Sequence, residues 1–234
     1  MRARLDAPAP PDVPQRLDTR RGLRLAELES VSESEIDGSF TGQSADALDL
    51  RRSRLTRCAL TSCRIHRLQL TDVVVDGCDW SGADLEEATL TRVHFRECRM
   101  SGVTMARASV RDVLFSDCRI DDANLRMCDL ERVTFDRADL RLADLMGSTF
   151  KHVRLFDCDL SGADVSGLVA RGTRLHGSVV TDLKGVGDLR GVVIDSTQLI
   201  PLGVQIVGAL GIIVEDEREP EPAPRRRRGS RGGR

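Results

Sequence analysis

The chain has 234 residues, 40 % of them apolar, with 35 Lys and Arg against 37 Asp and Glu and a formal net charge of −2. Mixed charge at this apolar content indicates a soluble globular chain. The longest apolar stretch, residues 199–214, is broken by Pro201, Gln205 and three glycines and falls short of the roughly 20 residues of a membrane span, so a bilayer protein is excluded.

In chain order, residues 1–21 come first. They hold Pro8, Pro10, Pro11 and Pro14 without an apolar run, and the expectation is a disordered segment that is not a secretory leader. Residues 22–39 keep Leu23, Leu25, Leu28, Val31 and Ile36 without a regular period and are expected to form an N-terminal cap. From residue 40 to 180 a different rule takes over. Residues whose numbers are multiples of five, such as Phe40, Leu50, Leu60, Leu70, Trp80, Leu90 and Phe95, are apolar, and the residue two before is usually small or β-branched. A period of five belongs to neither a helix nor a flat strand.

Calling each apolar multiple of five a centre, all seven cysteines (58, 63, 78, 98, 118, 128 and 158) lie two residues before one, as do Ala83, Ala88, Ala108, Ala123, Ala138, Ala143 and Ala163. Two inward positions in five leave three facing water, and those three hold nearly all the Arg, Asp and Glu. Every Gly from 41 to 180 lies two residues after a centre, the place where a type II turn needs positive φ, so each pentapeptide makes one bend. A longer period of twenty joins Val73, Val93, Val113, Val133 and Val153, and also Phe95, Phe115 and Phe135. Like stacks on like when each layer fills the same cross-section. Twenty residues per circuit and five per bend give an all-β solenoid with four sides and about seven coils, roughly 34 Å long at about 4.8 Å per coil.

After Val180 the period slips by one, with Leu189 and Ile194 as the next centres. Leu199, Leu202, Ile206 and Leu210 then follow at helical spacing, with Asp195 or Ser196 as N-cap and Gly208 and Gly211 as stops, so residues 181–214 are expected to be a slipped last coil and a capping helix. Open solenoid ends expose unpaired amides and core, which is why both caps are needed. Residues 215–234 pass from acidic to basic and are expected to be a disordered tail.

Ala83-Asp84-Leu85, Ala123-Asn124-Leu125, Ala138-Asp139-Leu140, Ala143-Asp144-Leu145 and Ala163-Asp164-Val165 match the A(D/N)LXX signature, and over about 140 residues the chain resembles the pentapeptide repeat protein family. The resemblance implies a right-handed quadrilateral β-helix. It also implies one specific alternative function, because a branch of that family confers quinolone resistance by imitating duplex DNA and engaging DNA gyrase. A DNA mimic needs a strongly negative face. Residues 41–180 carry 20 Lys or Arg against 21 Asp or Glu, so that alternative is disfavoured.

Chemistry is sparse. A cysteine ladder spreads thiols along an axis, whereas tetrahedral zinc needs ligands converging on a point, so the thiols read as packing, with no metal and no cofactor. His66, His94, His152 and His176 share no column in neighbouring coils, and no catalytic constellation is found. The reading is a non-catalytic, cytoplasmic scaffold that binds an unidentified protein partner. Arg51, Arg52, Arg54, Arg57, Arg64 and Arg67, a run without an acid among them, are the candidate site for an acidic partner. Arg225, Arg226, Arg227, Arg228, Arg231 and Arg234 in the tail are the candidate contacts for nucleic acid or an acidic partner, nucleic acid being unexpected elsewhere. The apolar C-terminal helix, rich in Ile and Val, is the candidate surface for a homodimer.

Overall fold

The computed structural model describes residues 7–214. Its body is a parallel β-solenoid in which each coil lies on the one before it in a register of twenty residues. Val73 pairs with Val93, Val93 with Val113 and Val113 with Val133, and Leu70, Leu90, Val110, Leu130 and Phe150 form a second such row. The longest strands, Leu68–Asp76, Thr89–Arg96, Ser109–Ser116 and Asp129–Asp136, stack on adjoining coils. On the other sides the contact between coils is a series of single bridges, apart from the pairing of Ser44–Ala45 with Arg64–Ile65. Trp80 N–H donates to the Arg99 carbonyl at 2.7 Å, and Arg99 N–H returns a bond to the Cys78 carbonyl at 2.9 Å.

The corners follow from the five-residue period. Between Gly42 and Asp182 the backbone is left-handed two residues after every centre except Ala47 and Arg67, with φ from +49° at Arg52 to +82° at Gly172. Glycine is the least strained residue there, yet most coils place Asp, Arg or Glu at these corners. The strain is accepted because the corner side chains point to solvent and to the coils above and below.

Inside, the expected residues fill the tube. All seven cysteines are buried and unpaired, and the rings of Phe95, Phe115 and Phe135 stack with successive centroid separations of 4.9 Å. A void lined by Met100, Met105, Phe115 and Phe135 measures about 20 Å³, at most one water's space.

The two ends differ from the regular coils. The head departs from the expectation of disorder over residues 1–21: from residue 7 the chain has a defined path, and Asp18–Arg20 pairs in parallel with Ser34–Ile36. Residues 22–39 join the ladder, with Ser30–Ser32 beside Asp49–Arg51 and Ser34–Ile36 leading into Arg54–Thr56, at a step of 19 residues. A 3-10 turn, Leu25–Leu28, places two fully buried leucines over the first coil. At the far end the step is again 19, Val193 lying beside Arg174. Asp195 caps a 3-10 turn, Ser196–Gln198, which runs into the helix α1, Leu199–Ala209. Gly211, in the left-handed region at φ +69°, follows its end.

Candidate interaction surfaces

Five residues per side and twenty per coil assign every outward side chain to a wall or a corner. The first wall is centred on Leu50, Leu70 and their successors, the second on Leu55 and Val75, the third on Leu60 and Trp80, and the fourth on Ile65 and Leu85. The six candidate arginines therefore do not share a face. Arg51 lies on the first wall, Arg52 on the corner after it, Arg54 on the second wall, Arg57 on the next corner, Arg64 on the fourth wall and Arg67 on the corner that returns to the first.

Several of them are also engaged. Arg51 forks onto Asp49 at 2.9–3.1 Å, Arg52 reaches Asp12 at 2.6 Å and Glu33 at 3.1 Å, and Arg64 lies 3.4 Å from Asp84. Arg67 donates to the Asp46 carbonyl. Among the described residues, only Arg54 and Arg57 of the six lack a carboxylate within ion-pair distance or a carbonyl acceptor. The tail residues Arg225 to Arg234 lie outside the described residues.

On one corner the charges alternate in sign from coil to coil. The corner between the first and second walls reads Glu33, Arg52, Asp72, Arg92, Asp112, Arg132, His152. Arg92 grips Asp72 with two bonds of 2.6 Å, and Arg132 grips Asp112 with bonds of 2.7 and 2.8 Å. On the next corner Arg137 holds Asp117 in the same bidentate way at 2.7 and 2.8 Å. The guanidinium hydrogen bonds hold Asp72 and Asp112 below the ordinary carboxylate range, against the opposing effect of partial burial. From Arg52 on this alternation was present in the sequence at every twentieth residue, but it acquires meaning only once those positions are known to be corners.

The head of the chain rests on that column. Asp12 N–H donates to Asp72 Oδ1 at 3.0 Å, and Ala9 N–H to Asp112 Oδ1 at 3.2 Å. Val74, His94 and Leu114, the outward residues next to the corner, are only half exposed, and burial lowers the pKa of His94.

The C-terminal end offers a surface of another kind. α1 buries Leu202 against the core and leaves Leu199, Ile200, Val204 and Leu210 more than 60 % exposed. Two glutamines that the sequence reading passed over close the last coil. Gln198 donates to the carbonyls of Leu175 and Ser178, and Gln205 accepts from Leu183 N–H while donating to the Val180 carbonyl. No group of His, Cys, Asp and Glu among the described residues is arranged to hold a metal. Two depressions on the first wall, one of about 160 Å³ between Arg111, Glu131 and Lys151, are shallow and polar.

A family model described as a pentapeptide repeat region matches residues 88–165. Among solved structures, a trypsin-treated form of QnrB1, a plasmid-mediated fluoroquinolone resistance protein, is 24 % identical, with a TM-score of 0.56 over 85 % of this chain and 98 % of that one. HetL, a pentapeptide repeat protein involved in heterocyst differentiation regulation in the cyanobacterium Nostoc sp. strain PCC 7120, is 20 % identical, with a TM-score of 0.43 over 74 % of this chain and 89 % of that one. No curated protein sequence matches the chain. Residues 88–165 match a pentapeptide repeat region, the same corner geometry continues on both sides of them, and the chain has the fold of the pentapeptide repeat proteins.

Proposed function

We propose that the protein is a non-catalytic scaffold of the cytoplasm that binds an acidic protein partner at its N-terminal coils and a second copy of itself through α1. The observation that carries the reading is the contrast between interior and surface. Among the described residues the core is filled and the depressions of the first wall are shallow and polar, while Arg54 and Arg57 stand as neighbouring cations without a carboxylate. Arg51 and Arg52, on the adjoining wall and corner, flank them with charge that is already partly neutralised, while Arg64 and Arg67 lie on other sides of the coil. Seven unpaired thiols suit a reducing compartment.

Affinity capture from lysate tests the partner: a reproducible protein retained by the wild type and lost from Arg54→Glu with Arg57→Glu supports the reading, and retention by that variant removes the site. For self-association, light scattering should give a dimer that Ile200→Glu with Val204→Glu converts to monomer. Modulation of DNA gyrase is the weaker alternative, because alternating Arg and Asp cancel the negative field a DNA mimic requires. Unchanged supercoiling by gyrase at stoichiometric excess of the protein would dispose of it.

A further inference from the structure

The head of the chain, Ala7-Pro8-Ala9-Pro10-Pro11-Asp12-Val13-Pro14, is built to be extended. Each proline fixes its own φ near −65° and steers the residue before it away from the helical region. Such a run favours a polyproline II helix, with three residues and about 9.3 Å per turn. Two features of the structure carry that period of three. Ala9 and Asp12, three residues apart, turn their amides to the wall, while Pro8, Pro11, Pro14 and Leu17, also at steps of three, are half-buried, Val13 being the one half-buried residue of the head off that step.

The wall has a matching period. Asp72 and Asp112 are two coils apart, about 9.6 Å at the spacing of paired strands. At both, one carboxylate takes a bidentate arginine from the next coil and then an amide from the head: Arg92 and Asp12 N–H at Asp72, Arg132 and Ala9 N–H at Asp112. The same three-part contact is thus repeated at the pitch of the proline helix. None of the four prolines falls at 9 or 12, where proline would remove the donor. Arg52, one coil before Asp72, adds an ion pair to the Asp12 carboxylate at 2.6 Å.

We propose that the corner column Arg52, Asp72, Arg92, Asp112 and Arg132 is a docking track for extended proline-rich segments, occupied by the chain's own head, so that a partner segment reaches it by displacing residues 7–16. The segment it fits has prolines that hold it extended, main-chain amides three residues apart, and an acidic side chain at the second of them. Recognition through main-chain amides tolerates many side chains, and the arginines set the preference for the acid. Because the head is tethered, it competes at an effective concentration in the millimolar range, which makes the track selective for tighter or multivalent partners. The inference deepens the scaffold reading with a second surface, and it shares only Arg52 with the arginine site tested by capture.

The test uses full-length protein and a capped synthetic peptide of residues 7–16, labelled with ¹⁵N at Ala9 and Asp12. In one protein variant, Ala9→Pro with Asp12→Pro, the head keeps its extended form and loses both donors. Expected are downfield shifts of both peptide amides on adding this variant, with binding at least about tenfold weaker to the wild type, whose head holds the track. A peptide carrying proline at both labelled positions should not bind. Adding Asp72→Gly and Asp112→Gly to the protein variant, which keeps the left-handed corners, should abolish the shifts. Failure of the peptide to bind the head variant, or equal binding after loss of both carboxylates, would overturn the proposal. The titration contains no second protein, so its failure and that of the capture experiment are separate results.

Discussion

Phe115 lies face to face with Phe95, ring centroids 4.9 Å apart and planes 9° from parallel, and Phe135 repeats the arrangement on its other side. The separation is that of the coils themselves, so the rings stack because the backbone delivers them at ring-stacking distance. Phe115 is therefore the residue whose loss removes two contacts at once. Phe115→Ala is expected to cost about 3–5 kcal/mol, the upper range for a buried aromatic, because neighbouring coils are hydrogen-bonded and cannot collapse into the cavity. Urea unfolding of the variant measures it, and a cost below about 1 kcal/mol would contradict the rigidity of the stack.

Two left-handed glycines, one at a corner and one before the 3-10 turn Val186–Asp188, predict different outcomes from the same substitution. Gly102 has φ +64° with nothing within 4 Å of an added Cβ, so Gly102→Ala should cost only the left-handed strain of about 1–2 kcal/mol. At Gly185, φ +72°, the Cβ would sit 2.5 Å from the backbone of Ser166. Gly185→Ala should destabilise distinctly more, and thermal melts of the two variants side by side would reveal the difference.

Burial pushes the thiols of Cys128 and Cys158 up to about 11. A folded-state value above the unfolded one, about 8.5, means that these groups stabilise the fold fully below that pH and cease to do so as pH rises through about 11. At pH 8 the native protein should leave an aromatic disulfide reagent unreacted, and all seven cysteines should titrate in denaturant. Rapid reaction of any thiol in the native state would place it outside the core.

Asp72 and Asp112 behave in the opposite sense. Their folded values lie below the ordinary one, so the stability they supply is present above about pH 3.9 and is lost as pH falls through the depressed values. Amide signals of Ala9 and Asp12 should hold constant from pH 7 to about 4 and then move toward those of a free segment while the solenoid core is still protected from exchange. Loss of core and head together would show the head to be inseparable from the fold.

The C-terminal closure rests on glutamine chemistry. Gln198 is 2 % exposed and satisfies two carbonyls of the last coil. Gln198→Leu preserves volume and orphans both, for an expected loss of about 2–3 kcal/mol, whereas Gln205→Leu, at a half-exposed position, should lose about 1 kcal/mol. Calorimetry distinguishes the two, and equal losses would count against burial as the cause.

Much of the candidate interaction surface was beyond a reading of residues in order. The run Arg51 to Arg67 is contiguous in sequence, yet coiling distributes it over three walls and three corners, and carboxylates from the head, the first coil and the coils above neutralise part of it. Gln198 and Gln205 carry no pattern that distinguishes them from ordinary polar residues of a helix and its lead-in, because their role depends on which carbonyls the last coil leaves open.

The sequence alone determined the tube: its five-residue wall, its left-handed corner and its stacking at twenty are local rules, since each inward side chain need only match the one a single coil away. The tertiary structure decided what the outer surface presents. A proline-rich head with no apolar run has no partner in its own neighbourhood, and only after coiling do Asp72 and Asp112, 60 and 103 residues beyond the amides they receive, come to lie a proline-helix turn apart.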